Sequence, residues 1–218
     1  MLRIDLFSDV ICPWCFIGKR RLERALVKRP NQEVKIQWRA FQLNPDMPHD
    51  GMPRQLYAEA KFGGAERARQ IYNNICRVAK DEGLDFSFEK IDRTPNTVAA
   101  HRLISWATIH DRADTLVENL FLAYFQEGQD IGSIDILEEV TNNSGLDGAQ
   151  ARKYLASEQG KNEVAAETRF AHENGITGVP CFVFNRHYAV TGAQEPEAFF
   201  PLLDLDAEEK NRTTSVSY

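Results

Sequence analysis

The stretch that decides the fold is Cys12-Pro13-Trp14-Cys15. It follows an apolar run at residues 2–7, which predicts a short strand, and it precedes a helix-like run at residues 16–27. Unpaired N–H groups and the macrodipole at a helix N-terminus favour negative charge, so Cys12 is expected to ionise readily. Pro13 suits the first helical turn, where its missing N–H costs nothing. We therefore expect Cys12 to be the attacking thiolate and Cys15, one turn later, the resolving thiol.

A cysteine pair at this spacing has three interpretations: a redox centre, half of a zinc site, or an inert structural pair. Zinc sites of this kind need two more ligands, usually a second pair at similar spacing. The other cysteines, Cys76 and Cys181, stand alone, and no histidine lies within a few residues of Cys12. The position between a predicted strand and a predicted helix favours the redox centre, and no metal is expected.

The second informative stretch runs from Gly175 to Pro180. It leads into two predicted strands within residues 181–191, which are joined by a turn at Asn185-Arg186. Pro180 can begin a strand, because its missing N–H need not enter a ladder there. Taken alone, it is an ordinary proline before a strand, and it gains meaning only with the upstream cysteine pair.

Several blocks of sequence, taken in order, resemble one family. The first runs from Phe7 to Glu23, and the others are residues 39–46, 95–104, 175–180 and 192–194. Over residues 3–203 they resemble the FrnE-like branch of the DsbA family of thiol–disulfide oxidoreductases. The same superfamily contains kappa-class glutathione transferases and 2-hydroxychromene-2-carboxylate isomerases, which typically have serine at the position of Cys12.

The order of the predicted elements and the resemblance both imply an α/β protein, a thioredoxin-like fold with a large inserted α-helical domain. Residues 1–50 are expected to form the first thioredoxin-like part and residues 51–172 the helical domain. Residues 173–205 are expected to form the second part, with the proline loop and a C-terminal helix, and residues 206–218 a polar tail.

Capping patterns predict three helix starts inside the helical domain. Thr94-Pro95 predicts one by placing a capping residue before a proline at the first helical position. Ser133 predicts a second, and Asp147 with Gln150 resembles a capping box before a third.

The resemblance also implies the roles of individual residues. It implies that the Val179–Pro180 bond is cis and that Pro180 lies opposite Cys12, as a third catalytic residue beside Cys12 and Cys15. The backbone of Val179 would then pair with an extended substrate. The substrate-binding residues are expected to be Trp14, Gln42, Asn44, Asn96, Val179 and Gln194. For Asn96, a capping role after Thr94-Pro95 is an equal alternative.

Two positions depart from the family pattern. The residue after the proline is usually threonine or a bulky apolar residue, whereas here it is Cys181. The hairpin turn is commonly Asn-Gly, whereas here it is Asn185-Arg186. Two roles stay open for Cys181, packing in the core or tuning the redox pair. Cys76 lies beside an apolar helical stripe and is expected to be a small buried hydrophobe.

Composition and charge exclude several classes of protein. With 218 residues, of which 43% are hydrophobic, the chain can bury a large core. A net charge of −6 argues against a nucleic-acid or membrane-surface binder. Asp5 and Asp9 would interrupt the apolar region of a signal peptide, so a cytoplasmic location is expected. A cluster of cations on the first helix is expected to be a solvated face: Lys19, Arg20, Arg21 and Arg24.

Three classes of function remain open on the sequence alone. The first is a thiol–disulfide oxidoreductase or isomerase acting on protein or small-molecule disulfides. The second is a glutathione-dependent transferase or isomerase, and the third is a redox sensor without turnover. No cofactor is required, and glutathione or a thioredoxin-type reductant is the expected redox partner.

Overall fold

The protein is described by a computed structural model over residues 1–205, so the tail predicted at residues 206–218 lies outside the described residues. The strands are β1 (Leu2–Ser8), β2 (Val34–Ala40), β3 (Met52–Pro53), β4 (Arg93–Thr94), β5 (Cys181–Phe184) and β6 (Tyr188–Thr191). The main sheet has the order β2-β1-β5-β6, in which β1 runs parallel to β2 and antiparallel to β5. β3 and β4 form a separate two-stranded ladder. The strands predicted from the apolar run at residues 2–7 and within residues 181–191 are confirmed.

The helices occur mostly between β2 and β5. They are α1 (Pro13–Val27), α2 (Arg54–Phe62), α3 (Ala65–Asp81), α4 (Val98–Thr108), α5 (Ala113–Phe125), α6 (Ile134–Asn143), α7 (Gly148–Ala156), α8 (Lys161–Glu173) and α9 (Phe200–Leu203). Because α2 to α8 separate β2 from β5 in sequence, the thioredoxin-like sheet carries a large helical insertion. Within residues 1–205, none of these helices is both long enough and apolar enough to cross a bilayer.

β1 separates two packed layers, because successive side chains of a strand point to opposite faces of the sheet. Ile4 and Leu6 are buried in the main core together with Phe16 of α1. Phe7 belongs instead to a small second cluster that contains Cys181, its partner across the β1–β5 ladder. The cysteine helix α1 and the Cys181 side chain therefore pack with different layers.

α1 is held against α5 by aromatic rings and by charge. Phe16 stacks on Phe121 with ring centroids 4.8 Å apart. Lys19 is only 4% exposed, and its Nζ lies 2.9 Å from the Glu118 carboxylate and 3.6 Å from that of Asp114. The prediction of a solvated face is therefore wrong for Lys19, because α5 covers its side of the helix. These contacts fix the half of α1 that carries the cysteines.

The helix start predicted at Thr94-Pro95 is wrong. Thr94 lies in β4, where it pairs with Met52, and α4 begins only at Val98 with Thr97 as its N-cap. The ladder with β3 holds Thr94 in extended backbone, so the local capping pattern does not start the helix there.

The other two helix starts and the hairpin turn are confirmed. Ser133 is the N-cap of α6, and Asp147 is the N-cap of α7. The Asp147 carboxylate accepts a 3.0 Å hydrogen bond from the Gln150 N–H, and the Gln150 amide returns to the same carboxylate at 2.9 Å. Asn185 and Arg186 adopt φ values of 47° and 66°, as a two-residue hairpin turn requires.

Candidate active site

Cys12 is the N-cap residue of α1, immediately before the first helical position. Its backbone is extended, with φ −92° and ψ 111°, and Pro13 occupies the first helical position. The Cys12 N–H donates to the Asp9 carbonyl at 2.9 Å, and the Cys15 N–H donates to the Cys12 carbonyl at 3.0 Å. The arrangement predicted from the sequence, a strand followed by a cysteine pair at a helix N-terminus, is present.

Cys15 lies one turn inside α1 and is 1% exposed, against 4% for Cys12. Both are free thiols. Burial raises the pKa of the Cys15 thiol well above its usual range, and the neighbouring Cys12 sulfur raises that pKa further. The Ser8 hydroxyl and the Asp9 N–H oppose these effects only in part. Cys15 is therefore protonated near neutral pH and must lose a proton before it can attack a disulfide.

The loop that ends at Pro180 faces Cys12 directly. The Cys12 thiol donates a hydrogen bond to the Val179 carbonyl, with 3.6 Å between sulfur and oxygen. The Val179–Pro180 peptide bond is cis, and Pro180 is buried. Pro180 also packs on α1 at Gly18, where an added Cβ would lie 2.9 Å from the proline Cγ. The proline loop thus contacts both the Cys12 sulfur and the helix that carries it.

The backbone of Val179 presents a free donor beside Cys12. Within residues 1–205 the Val179 N–H has no hydrogen-bond partner, whereas its carbonyl accepts from Cys12. The next carbonyl, that of Pro180, is already occupied by the Gly192 N–H at 2.8 Å. A free backbone N–H next to a reactive sulfur suits pairing with an extended peptide.

Trp14 and Gln42 differ in how far they are available to a substrate. Trp14 is half-buried and packs against the main core, so part of its ring area is structural. Gln42 follows β2 and is 7% exposed, and its side-chain nitrogen has no hydrogen-bond partner in the described part of the chain. Gln42 therefore keeps an unused donor.

Asn44 contacts Tyr57, a residue that sequence reasoning missed. The Asn44 amide donates to the Tyr57 hydroxyl at 3.4 Å. Burial raises the pKa of Tyr57, and negative charge on Asp9 and Cys12 adds to that rise, which places the phenol within electrostatic range of the thiolate. A pocket of about 390 Å³ opens here, lined by Leu43, Asn44, Pro45, Met47, Met52 and Tyr57 among others. A lone tyrosine on a helix gave no local signal of this placement.

The side chains of Asn96 and Gln194 form hydrogen bonds with the backbone of this chain. The Asn96 amide donates to the Met47 carbonyl at 2.8 Å, and its oxygen accepts from the Val98 N–H at 3.0 Å. Gln194 is exposed, and its amide donates to the Thr191 carbonyl at 2.8 Å. These contacts support a helix-start role for Asn96 and a turn role for Gln194.

Asp9 is the second residue that sequence reasoning missed. Its side chain is fully buried. One carboxylate oxygen accepts from the Leu43 N–H at 2.8 Å, and the other lies 3.5 Å from Nε2 of His101. Its carbonyl accepts from the Cys12 N–H at 2.9 Å, and its backbone acts to lower the pKa of Cys15. The position of Asp9 three residues before the motif was the one available signal.

The zinc interpretation gains no support from the structure. Within residues 1–205, no group of three or more His, Cys, Asp or Glu side chains is arranged to hold a metal ion. Cys76 lies on α3, half-buried rather than buried as predicted, and its thiol donates to the Phe86 carbonyl at 3.8 Å. The cysteine pair therefore has no further ligands among the described residues.

A family model for the DSBA-like thioredoxin domain matches residues 3–203. The match spans the cysteine motif, the helical insertion and the proline loop. The chain belongs to the DSBA-like thioredoxin domain family. The resemblance to the DsbA family is thereby confirmed, whereas the FrnE-like branch stays a prediction.

Two proteins resemble this DsbA-like chain over almost its whole length. An uncharacterized protein of Bacillus subtilis (strain 168), YwbO, is 26% identical over 210 residues, which is 96% of this chain and 99% of YwbO. The crystal structure of a probable DsbA oxidoreductase from Streptomyces coelicolor is 33% identical, with a TM-score of 0.84. That comparison covers 94% of this chain and 89% of the Streptomyces chain.

Two further structures share the fold at lower identity. A 2-hydroxychromene-2-carboxylate isomerase has a TM-score of 0.70 and 15% identity, covering 99% of this chain and 100% of its own. The cytosolic disulfide reductase DsbM from Pseudomonas aeruginosa, solved with GSH, has a TM-score of 0.62 and 17% identity at the same coverage. At these identities the likeness shows the fold alone.

Cys181 of this DsbA-like domain packs away from the redox pair. It is 1% exposed and lies in the second cluster with Phe7, Phe41 and Ala171. Burial raises the pKa of its thiol. This placement favours packing over tuning as the role of Cys181.

Proposed function

We propose that this chain is a thiol–disulfide oxidoreductase or isomerase that cycles Cys12 and Cys15 between dithiol and disulfide. The hydrogen bond from the Cys12 thiol to the Val179 carbonyl carries the proposal. It joins the sulfur at the N-terminus of α1 to the loop where an extended substrate would pair. Membership of the DSBA-like family supports the same class of chemistry.

The proposed reaction consists of two thiol–disulfide exchanges. The Cys12 thiolate, favoured by the helix N-terminus, attacks one sulfur of a substrate disulfide, and the other sulfur leaves as a thiolate. Cys15 then loses its proton and attacks the Cys12 sulfur, which forms the Cys12–Cys15 disulfide and releases the second substrate thiolate. The substrate gains two electrons and the protein loses two. The reverse sequence oxidises a substrate dithiol.

Substrate recognition is proposed to combine backbone pairing with side-chain contacts. The free Val179 N–H supports addition of an extended segment beside Cys12. Trp14, Gln42 and Asn44 are the proposed side-chain contacts, and the pocket beside Tyr57 provides space for a substrate side chain. Glutathione is proposed as a redox partner or cosubstrate, alongside a thioredoxin-type reductant. The cytoplasmic location stays a prediction from the sequence.

The test is an insulin-reduction assay on the wild type and three cysteine variants. We expect Cys12→Ser to abolish turnover, and Cys15→Ser to accumulate mixed disulfides, because resolution needs the second thiol. Cys76→Ser is the matched control, since this thiol lies on α3 away from the site, and it should retain the wild-type rate. Turnover that survives in Cys12→Ser would contradict the proposal.

A second assay on the same preparation separates the glutathione-dependent alternative. Isomerisation of 2-hydroxychromene-2-carboxylate is measured with and without glutathione. We expect no isomerisation. Isomerisation that persists in Cys15→Ser, together with no insulin reduction by the wild type, would replace the oxidoreductase proposal with the isomerase.

A further inference from the structure

A groove of about 700 Å³ lies on the face of the main sheet that points away from α1. Strands β1, β5 and β6 form its floor, and α8 forms one wall. Its apolar lining consists of Phe7, Ala166, Phe170, Ile176, Val183 and Ala189. Phe170 is 55% exposed and stacks on Phe7 with ring centroids 6.5 Å apart. A concave apolar surface with an exposed aromatic ring suits the packing of another molecule.

The groove is continuous with the proline loop. Ile176 belongs to that loop and lines the groove. Ile176, Val179 and Val183 pack against one small apolar cluster, and Val183 also lies in the groove floor. The Val179 carbonyl in turn accepts from the Cys12 thiol at 3.6 Å. A substrate paired with Val179 beside Cys12 therefore stands at one end of the groove.

The charges that line the groove are balanced except at Arg186. Arg39 pairs with the carboxylates of Asp5 and Glu167, at 2.8 and 2.7 Å. Arg3 also pairs with Asp5 at 2.8 Å, so two guanidinium groups balance the two carboxylates. Arg186 is exposed and has no carboxylate partner within residues 1–205. The charge that the groove offers to a ligand is therefore positive.

The backbone of Arg186 is unusual for an arginine. Its φ of 66° lies in the left-handed region, where glycine is favoured at a hairpin turn. A residue with a side chain in this region stores strain, and such positions are often functional. At this turn the side chain of Arg186 reaches the groove, which a glycine could not do.

We propose that the groove binds an extended segment of a polypeptide substrate, apolar along its length and acidic where it meets Arg186. The inference rests on the proposed function, because the cysteine of this substrate would lie at Cys12. Val179 stands two residues before β5, and Arg186 stands two residues after it. At a rise of about 3.3 Å per residue the two lie roughly 20 Å apart along the strand. Because long side chains shorten that span, about four to six substrate residues separate the cysteine from the acidic residue.

The test uses synthetic peptides whose single cysteine forms a disulfide with 5-thio-2-nitrobenzoate. Cys12 of the reduced protein attacks the peptide sulfur, and the coloured aromatic thiolate leaves, so absorbance gives the rate. The glutamate peptide carries a leucine-rich segment that places glutamate about five residues from the cysteine. The lysine peptide has lysine in place of that glutamate, and the short peptide lacks the segment. Two sets place the segment before or after the cysteine, and a preference in either set supports the proposal.

The rates are compared at subsaturating peptide concentration, so that they include binding. We expect the glutamate peptide to react about 10-fold faster than the short peptide, because the segment buries apolar area in the groove. It should react about 3- to 10-fold faster than the lysine peptide, because only glutamate is attracted to Arg186.

Two substitutions of Arg186 separate binding from stability. Arg186→Glu should invert the preference, so that the lysine peptide becomes the faster one. Arg186→Gly should abolish the preference and yet raise the free energy of unfolding, because glycine suits a positive φ. Arg169→Ala is the matched control, since Arg169 is an exposed arginine of α8 that does not line the groove, and it should keep the wild-type ratios.

A further pair of variants tests the apolar part of the groove. Phe170→Gln should reduce the advantage of the glutamate peptide over the short peptide, because the exposed ring is lost. Ile109→Gln removes an exposed apolar side chain at the end of α4, outside the groove, and should keep that advantage.

The possible outcomes distinguish this inference from the proposed function. Equal rates for the glutamate and lysine peptides in both sets, or a preference that survives in Arg186→Glu, would overturn the groove as the binding site. The same holds if the short peptide reacts as fast as the glutamate peptide, and insulin reduction by the wild type would still support the oxidoreductase. If the wild type does not reduce insulin, fluorescence anisotropy of labelled peptides with Cys12→Ser still decides the groove, by the same order of affinities.

Discussion

Gly18 of α1 and Pro180 of the proline loop approach each other so closely that a Cβ on Gly18 would lie 2.9 Å from the proline Cγ. No side chain larger than hydrogen fits between the cysteine helix and this loop without a shift. Because Val179 contacts the Cys12 sulfur, a shift of the loop would move the carbonyl that faces the reactive thiol.

We therefore expect Gly18→Ala to lower both the free energy of unfolding and the rate of disulfide exchange. In an unobstructed helix the same substitution stabilises by about 0.5–1 kcal/mol, so the sign of the effect is diagnostic. Urea unfolding and the insulin assay measure the two quantities. A stabilised variant with the wild-type exchange rate would show that the contact does not position the loop.

Iodoacetamide should modify Cys12 before Cys15 in the reduced protein near neutral pH. Burial and the neighbouring sulfur raise the pKa of Cys15, so little of it is thiolate, and the thiolate is the nucleophile. Peptide mass spectrometry at increasing reaction times gives the order. Faster modification of Cys15 would reverse the roles assigned to the two thiols.

Lys19→Met should destabilise the protein and loosen the contact between α1 and α5. The substitution leaves the carboxylates of Glu118 and Asp114 without the buried ammonium between them. Because both carboxylates keep some solvent contact, we expect a loss of about 1–2 kcal/mol, below the value for a fully buried pair. Lys28→Met is the matched control, since its pair with Glu197 is exposed to solvent and should contribute little to stability. Equal losses in urea unfolding would contradict the prediction.

The Glu118 carboxylate should stabilise the protein at neutral pH and lose this effect in acid. Burial alone would raise the pKa of its carboxyl, but Arg20 and Lys19 together lower that pKa below its ordinary value of 4.5. A lowered folded-state pKa stabilises the protein above the ordinary value, and this stabilisation is lost as the pH falls below it. Glu118→Gln should therefore show a flatter fall of unfolding free energy below about pH 4.5, whereas the exposed control Glu33→Gln should follow the wild type. Parallel curves for wild type and Glu118→Gln would refute the prediction.

Replacing Cys181 by threonine, the more usual residue there, should leave the reduction potential of the Cys12–Cys15 pair almost unchanged. The Cys181 side chain packs with Phe7 and Phe41 rather than with α1. We expect a shift below about 10 mV, or roughly 0.5 kcal/mol for a two-electron couple. Equilibration against a glutathione buffer measures it, and a larger shift would assign Cys181 a tuning role.

The sequence predicted the parts of the site that are built from local patterns. The cysteine pair at the start of α1, the strand before it, and the hairpin after Pro180 each depend on neighbours in the chain. Local preference decides the structure at these positions, so short patterns were enough.

The missed residues depend on contacts between distant segments. Asp9 and His101 come together only when α4 packs across the end of β1, and Tyr57 approaches Cys12 only through the fold of the insertion. Thr94 shows the converse, because a ladder with Met52 overrides a local capping pattern. Hydrophobic periodicity and capping patterns depend on neighbours along the chain, so they do not predict contacts between distant segments.

The Glu167 carboxylate on α8 limits the addition of a further strand to the main sheet. It accepts from the Arg39 side chain and, at 2.7 Å, from the Ala40 N–H on the outer edge of β2. An edge strand with unused N–H groups is a template for pairing with other chains. At this edge a carboxylate already occupies the last donor of β2, so a peptide that added a strand there would have to displace it. The helical insertion thereby hinders strand addition at this end of β2, two strands away from the pairing that Val179 offers before β5.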